Sequence, residues 1–148
     1  MFPGNVGGND ALAQVVKNWS RPARPSTRDL FLEPEKGGYA VGAFNVYNLE
    51  VVSAVVAAAE AEKSPAILQI HPSALKHGGL PLVACCVSAV EHAAVPITVH
   101  IDHATDKQEL IETMEMGVDS VMVDGSHLPF SENVSYNHGP CKGYDCGS

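Results

Sequence analysis

Apolar and polar positions along residues 39–123 repeat as short apolar runs followed by longer amphipathic ones. Tyr39–Val46, Ala66–Ile70, Ile97–Ile101 and Val121–Val123 are nearly continuous apolar runs, the pattern of strands buried on both faces. Leu49–Lys63 is rich in Ala and Val with acids on one side, predicting a helix that Asn48 caps and Ser64-Pro65 stops. A His77–Gly79 turn precedes a second predicted helix, Leu80–Ala94, with Pro81 in its first turn. A third begins at Thr105, with Gln108 three residues on in a capping-box pattern and Leu110, Ile111, Met114 and Val118 as its apolar face. The predicted order is β-α-β-α-β-α-β, with strands recurring about every 25–30 residues, the rhythm of parallel α/β folds. No Gly-rich phosphate turn follows the first strand, where Asn45-Val46-Tyr47-Asn48 stands instead. That favours a barrel over an open dinucleotide-binding sheet.

The pattern is confined to the middle of the chain. Residues 1–37 are rich in Gly, Pro and Arg and predict one short helix, through Leu12, Val15, Val16 and Trp19, with Asp10 as its cap. Ser131–Tyr136 can begin a fourth helix, whereas the Gly- and Pro-rich run Asn137–Ser148 is expected not to be helical. The expected division is an extension (1–37), an α/β unit (38–134) and an irregular tail (135–148).

Composition narrows the function. The 148 residues carry 17 acidic and 9 basic side chains, a net charge of −8, which argues against nucleic acid as a partner. No uninterrupted apolar run reaches the roughly 20 residues of a membrane span, so no membrane role is expected. Cys85 and Cys86 are adjacent in an apolar segment and read as reduced core thiols, which points to a cytoplasmic location. His138, Cys141 and Cys146 resemble a zinc site loosely, without a fourth ligand.

The chemistry concentrates at the predicted C-terminal ends of the strands, where parallel α/β folds place their sites. Asn45 ends the first, Gln69 and His71 the second, Asp102 and His103 the third, and Asp124 the fourth. An imidazole at such a mouth suits Zn²⁺, and a carboxylate beside a metal-bound substrate can move a proton. His100 lies on the same side of its strand as Asp102 and reads as a buried, hydrogen-bonded histidine. Spacing alone equally allows Asp102 to cap the next helix, His103 to be a loop residue and Asp124 to open a turn with Gly125.

Gly38-Tyr39-Ala40-Val41-Gly42-Ala43-Phe44-Asn45-Val46, Ser64-Pro65-Ala66-Ile67-Leu68-Gln69, Val99-His100-Ile101-Asp102-His103-Ala104 and Ser120-Val121-Met122-Val123-Asp124-Gly125-Ser126 resemble class II, metal-dependent fructose-bisphosphate aldolases and related ketose-bisphosphate aldolases. The resemblance covers about residues 37–134. It implies a TIM (β/α)₈ barrel, of which this chain would be the truncated N-terminal half, usually in a dimer. It implies reversible, Zn²⁺-dependent cleavage of fructose 1,6-bisphosphate or a related ketose bisphosphate to glycerone phosphate and an aldehyde, in glycolysis. Asp102 matches the catalytic carboxylate, His103 the first of three zinc histidines, Asp124 a carboxylate at a second divalent-metal position, and Asn45 a substrate-proximal asparagine. His71 stands where many members have a phosphate-contacting serine, with Ser73 two residues on.

The resemblance also exposes gaps. Two zinc histidines are unmatched, and residues 37–134 contain only Lys63, Lys76 and Lys107 as cations for a bisphosphate. The expectation is therefore an aldolase-family chain inactive by itself, or alternatively a non-catalytic half-barrel that serves as an interaction or assembly module. The inner face of the half-barrel is expected to present apolar side chains to water, making the chain homo-oligomeric or aggregation-prone.

Overall fold

A computed structural model describes residues 24–138. The four apolar runs form one parallel sheet, β1 (Gly42–Asn45), β2 (Ala66–Ile70), β3 (Ile97–Ala104) and β4 (Ser120–Val123), in sequential order. The helices are α1 (Thr27–Gly37), α2 (Leu49–Ala61), α3 (Pro72–His92), α4 (Lys107–Glu115) and α5 (Phe130–His138). Consecutive parallel pairing joined by helices is the arrangement of a partial (β/α) barrel.

Strand alternation sorts the side chains. Leu68, Ile70, Ile97, Val99 and Ile101 pack with Val52, Leu75, Leu82, Val83, Cys86 and Val90 of the helices in one core. The opposite parity carries Asn45, Gln69, Thr98, His100, Asp102 and Ser120. The inner face is thus largely polar, which corrects the expectation of an apolar face open to water. Its two most deeply placed residues, Ile67 and Thr98, are buried.

Helix α1 contacts β3 and begins at a Ser26 capping box, in which Ser26 and Asp29 exchange hydrogen bonds. Leu30 and Pro34 are buried, and Thr27 Oγ1 donates to Ser120 Oγ at 3.0 Å. Just ahead of the helix, Arg24 donates to the Gly117 carbonyl and lies 3.5 Å from Asp119, which also accepts the Val99 N–H. Pro25 and Pro34 read as breaks in the sequence, yet Pro34 is accommodated near the helix end. The Ser26-Thr27-Arg28-Asp29 spacing was the available signal. The helix predicted through Leu12–Trp19 lies outside the described residues, as does the tail from residue 139.

Local boundaries differ where capping overrides periodicity. Helix α3 starts at Pro72, with His71 as its N-cap, and the predicted turn survives as a kink at Gly79 (φ 59°). Helix α4 is capped by Asp106, whose carboxylate accepts the Gln108 and Glu109 N–H groups, so Thr105 is not the cap. Over an 18-residue window α3 has a mean hydropathy of 1.3, enough by composition for a span, but its apolar side packs in the core against the sheet. Burial pushes the Cys86 thiol up to about 12, as suits an inert core cysteine.

All of β1 is exposed. Beside it a groove of about 510 Å³ is lined by Tyr39, Phe44, Ala54, Val55, Ala58 and Pro65, among others.

Leu68→Ala is expected to cost about 2–5 kcal/mol, the range for emptying a buried leucine site. Ser26→Ala should cost about 1 kcal/mol by loss of the α1 cap. Denaturant midpoints of the two variants test the ranking; equal small losses would mean the sheet–helix core is not the main source of stability.

Candidate active site at the mouth of the sheet

Register brings the polar strand ends into one row. Asn45 is paired with Gln69, and Gln69 with His100. The Gln69 amide donates to Asp102 Oδ2 at 2.8 Å and to Asn45 Oδ1 at 3.2 Å. A primary amide has two N–H donors, so one side chain fixes two neighbours.

Asp102 and His103 are consecutive in β3 and would point to opposite faces of a regular strand. The backbone at His103 is left-handed, with φ 49°, and pairing with β4 becomes irregular between Ile101 and Ala104. A non-glycine residue in that region is held at a cost of order 1–3 kcal/mol and clusters at functional sites. The result is that both side chains reach the mouth, with His103 Nε2 lying 3.8 Å from Asp102 Oδ2.

His103 Nδ1 donates to Asp124 Oδ2 at 2.8 Å. The other oxygen, Asp124 Oδ1, accepts the Ser126 N–H at 2.9 Å. Hydrogen bonds from Ser126, then from His103, hold the Asp124 carboxyl well below the usual carboxylate range. The Asp124 bond, then the charge of Asp102, raises the His103 imidazole above its ordinary value. With Nδ1 as donor, neutral His103 keeps a lone pair on Nε2, the state a metal ligand needs. A Cβ at Gly125 would meet the Asn133 side-chain amide, which would have to shift to admit it.

His71 has the opposite arrangement. Its Nδ1 accepts the Ser73 N–H at 3.2 Å and lies 2.8 Å from Ser73 Oγ. The neutral ring therefore carries its proton on Nε2 and acts as a donor. The His71 and His103 ring centroids are 6.0 Å apart, so these two imidazoles sit at the same mouth with opposite polarity. Ser73 is exposed and engaged with His71. Lys107 lies over the Tyr136 ring, 4.6 Å from its centroid.

The structure thus brings Asn45, Asp102, His103 and Asp124 into one connected network, with His71 adjacent and Ser73 behind it. Among the described residues no group of three or more His, Cys, Asp or Glu is arranged to hold one metal ion. The readings of Asp102 as a helix cap and His103 as a plain loop residue are excluded: the cap is Asp106, and His103 belongs to β3. The roles of Gln69, Ser120 and Ser126 were not legible from the sequence. For Gln69 the signal was its shared parity with Asp102 on neighbouring parallel strands.

Comparison with known proteins follows the same residues. A sequence-family profile described as fructose-bisphosphate aldolase class-II matches residues 25–139. A fructose-bisphosphate aldolase of Treponema pallidum (strain Nichols) is 39% identical over 123 residues, covering 79% of this chain and 37% of that protein. One of Thermus caldophilus is 42% identical over 97 residues, covering 66% and 32%. A crystal structure assigned as a fructose-1,6-biphosphate aldolase from Coccidioides immitis superposes with a TM-score of 0.71 at 35% identity, over 82% of this chain and 46% of that one. The YdjI aldolase from Escherichia coli K12 gives a TM-score of 0.71 at 28% identity, over 76% and 44%. The chain spans about a third of the length of these curated relatives and just under half of these structures.

Asp124→Asn should lower the His103 pKa toward the ordinary imidazole value, because it removes the charge that stabilises the imidazolium. An NMR titration of the His103 ring checks this, and an unchanged midpoint would show that the 2.8 Å contact carries no ionic character.

Proposed function

The chain belongs to the class II fructose-bisphosphate aldolase family, and from that premise we propose that its sheet mouth supplies part of a metal-dependent aldol-cleavage site. The substrate class is a ketose bisphosphate such as fructose 1,6-bisphosphate, cleaved reversibly to glycerone phosphate and an aldehyde in cytoplasmic carbohydrate metabolism. The observation that carries this reading is the His103–Asp124 hydrogen bond, which leaves His103 Nε2 with its lone pair beside the Asp102 carboxylate.

The residues present fit one protein ligand of a divalent metal site. His103 Nε2 would hold Zn²⁺, with Asp124 orienting the ring from behind, the carboxylate–histidine arrangement common to zinc sites. Both Asp124 oxygens are already engaged, by His103 and Ser126, so we assign it this orienting role ahead of a second divalent-metal position. When bound, the metal supplies Lewis-acid polarisation of a ketone. Asp102 holds or moves a proton at the substrate oxygen next to the breaking C–C bond. Gln69 holds Asp102 in place and links it to Asn45, to which we assign a substrate-proximal role. His71 Nε2–H is a donor for an anionic substrate group, the task a serine performs in many relatives.

A catalytic zinc takes three protein ligands, so further ligands would come from outside the described residues. We propose accordingly that the 148-residue chain alone cleaves little or no ketose bisphosphate. We propose also that it self-associates, which the wholly exposed β1 and its apolar groove support. A purely assembly-type role would show as self-association with no metal dependence of any property.

Zinc titration calorimetry tests the metal assignment. Binding should be far weaker than nanomolar, lost in His103→Ala, and about 10- to 100-fold weaker in Asp124→Asn. It should strengthen as pH rises through the raised His103 value, since the imidazolium has no lone pair to give. Nanomolar binding that depends on His103 would instead show that the other ligands are already present. In a coupled cleavage assay with added Zn²⁺, turnover that disappears in Asp102→Ala would overturn the proposed inactivity of the isolated chain and support the role of Asp102.

A further inference from the structure

Three consecutive residues at the end of β3 are each bonded to the chain that follows β4. His103 Nδ1 donates to Asp124 Oδ2 at 2.8 Å, and the Ala104 carbonyl accepts the Asp124 N–H at 2.8 Å. The Thr105 carbonyl accepts the Tyr136 hydroxyl at 2.5 Å. The first two bonds come from Asp124 itself, whereas the third comes from near the far end of α5. Tyr136 has no part in the mechanism above.

Donor and acceptor are fixed at each of these bonds. A carbonyl can only accept, and the ionised Asp124 carboxylate accepts as well. Burial, followed by the charges of Asp106 and Asp124, raises the Tyr136 pKa, so the phenol keeps the proton it donates. The Lys107 ammonium lies over the same ring, 4.6 Å from its centroid. Between Asp124 and Tyr136 the chain is braced by its own bonds: the Leu128 N–H donates to the Gly125 carbonyl and the Asn133 N–H to the Pro129 carbonyl, each at 2.9 Å. The apolar side chains of α5 do little to seat it, since Phe130 and Val134 are exposed. The hydroxyl and the ring of Tyr136 are therefore its tie to the end of β3.

The left-handed backbone of His103, with φ 49°, stands at the start of this three-residue clamp. Such a conformation persists only where its surroundings over-determine it. We propose that Tyr136 is a positioning residue for His103: its hydroxyl anchors the end of β3 at Thr105, so that the strained backbone at His103 is held and its imidazole stays against Asp124. Helix α5 thereby becomes part of the site, although none of its side chains enters the mouth network. This role takes its functional meaning from the assignment of His103 above, but its test needs neither metal nor substrate, so the two can fail separately.

The test is NMR of the full 148-residue chain without metal. Two signals read the clamp: solvent exchange of the His103 Nδ1–H proton, and the His103 Cα and Cβ shifts, which report its left-handed backbone. Tyr136→Phe keeps the ring beneath Lys107 and removes only the hydroxyl. It should speed the Nδ1–H exchange about threefold to tenfold, the change one ordinary hydrogen bond commands. It should also move the Cα and Cβ shifts toward those of a strand. Lys107→Gln, which leaves the hydroxyl in place, should move both signals less. A merely space-filling ring would leave Tyr136→Phe at wild-type values and move the signals only in Tyr136→Leu, and that result overturns the proposal. Wild-type His103 shifts already those of a regular strand overturn it without any variant.

Discussion

The register of β2 against β3 is the constraint on which the site depends. It sets Gln69 opposite His100 and puts both, with Asp102, on the inner parity of adjacent strands. A slip of one residue would send Gln69 into the helix-side core and bring Leu68 or Ile70 to the inner face. The core holds the register: Leu68, Ile70, Val99 and Ile101 are essentially inaccessible and tolerate no exchange with polar neighbours. The hydrophobic effect on one face therefore positions the polar network on the other.

A second consequence is that the inner face is built from hydrogen bonds more than from apolar contact. Hydrogen bonds join Thr27, Ser120 and His100 in one group beside α1, and Asp102, Gln69 and Asn45 in another at the mouth. Each member limits the freedom of the next, so the arrangement at the mouth is prepared before any ligand arrives. Below these groups, the Arg24 contacts with Gly117 and Asp119 tie the approach to α1 against the base of β3 and β4.

The left-handed backbone at His103 is the one local feature that breaks strand regularity in favour of chemistry. It lets consecutive residues serve one cavity, Asp102 from the inner face and His103 from the strand end. The two hydrogen bonds at Asp124 then set the orientation of His103, while Ser73 sets that of His71. Two imidazoles with the same intrinsic chemistry thereby present a lone pair and a proton donor respectively to one mouth.

The sequence by itself determined the element order, the parallel α/β class, the family, and which strand ends carry Asn45, Asp102, His103 and Asp124. Hydrophobic period and punctuation are local properties, and four polar ends after four apolar runs can be counted along the chain. It missed α1, because two prolines outweighed the capping-box spacing at Ser26, and it misjudged the inner face, because continuous apolar runs hide which parity faces the helices. Only the tertiary structure decided that Gln69 bridges Asp102 and Asn45, that Ser120 links His100 to Thr27, and which nitrogen of each histidine is engaged. Apart from the His71–Ser73 contact, those outcomes depend on distances between residues 20 to 93 positions apart, which no local pattern encodes.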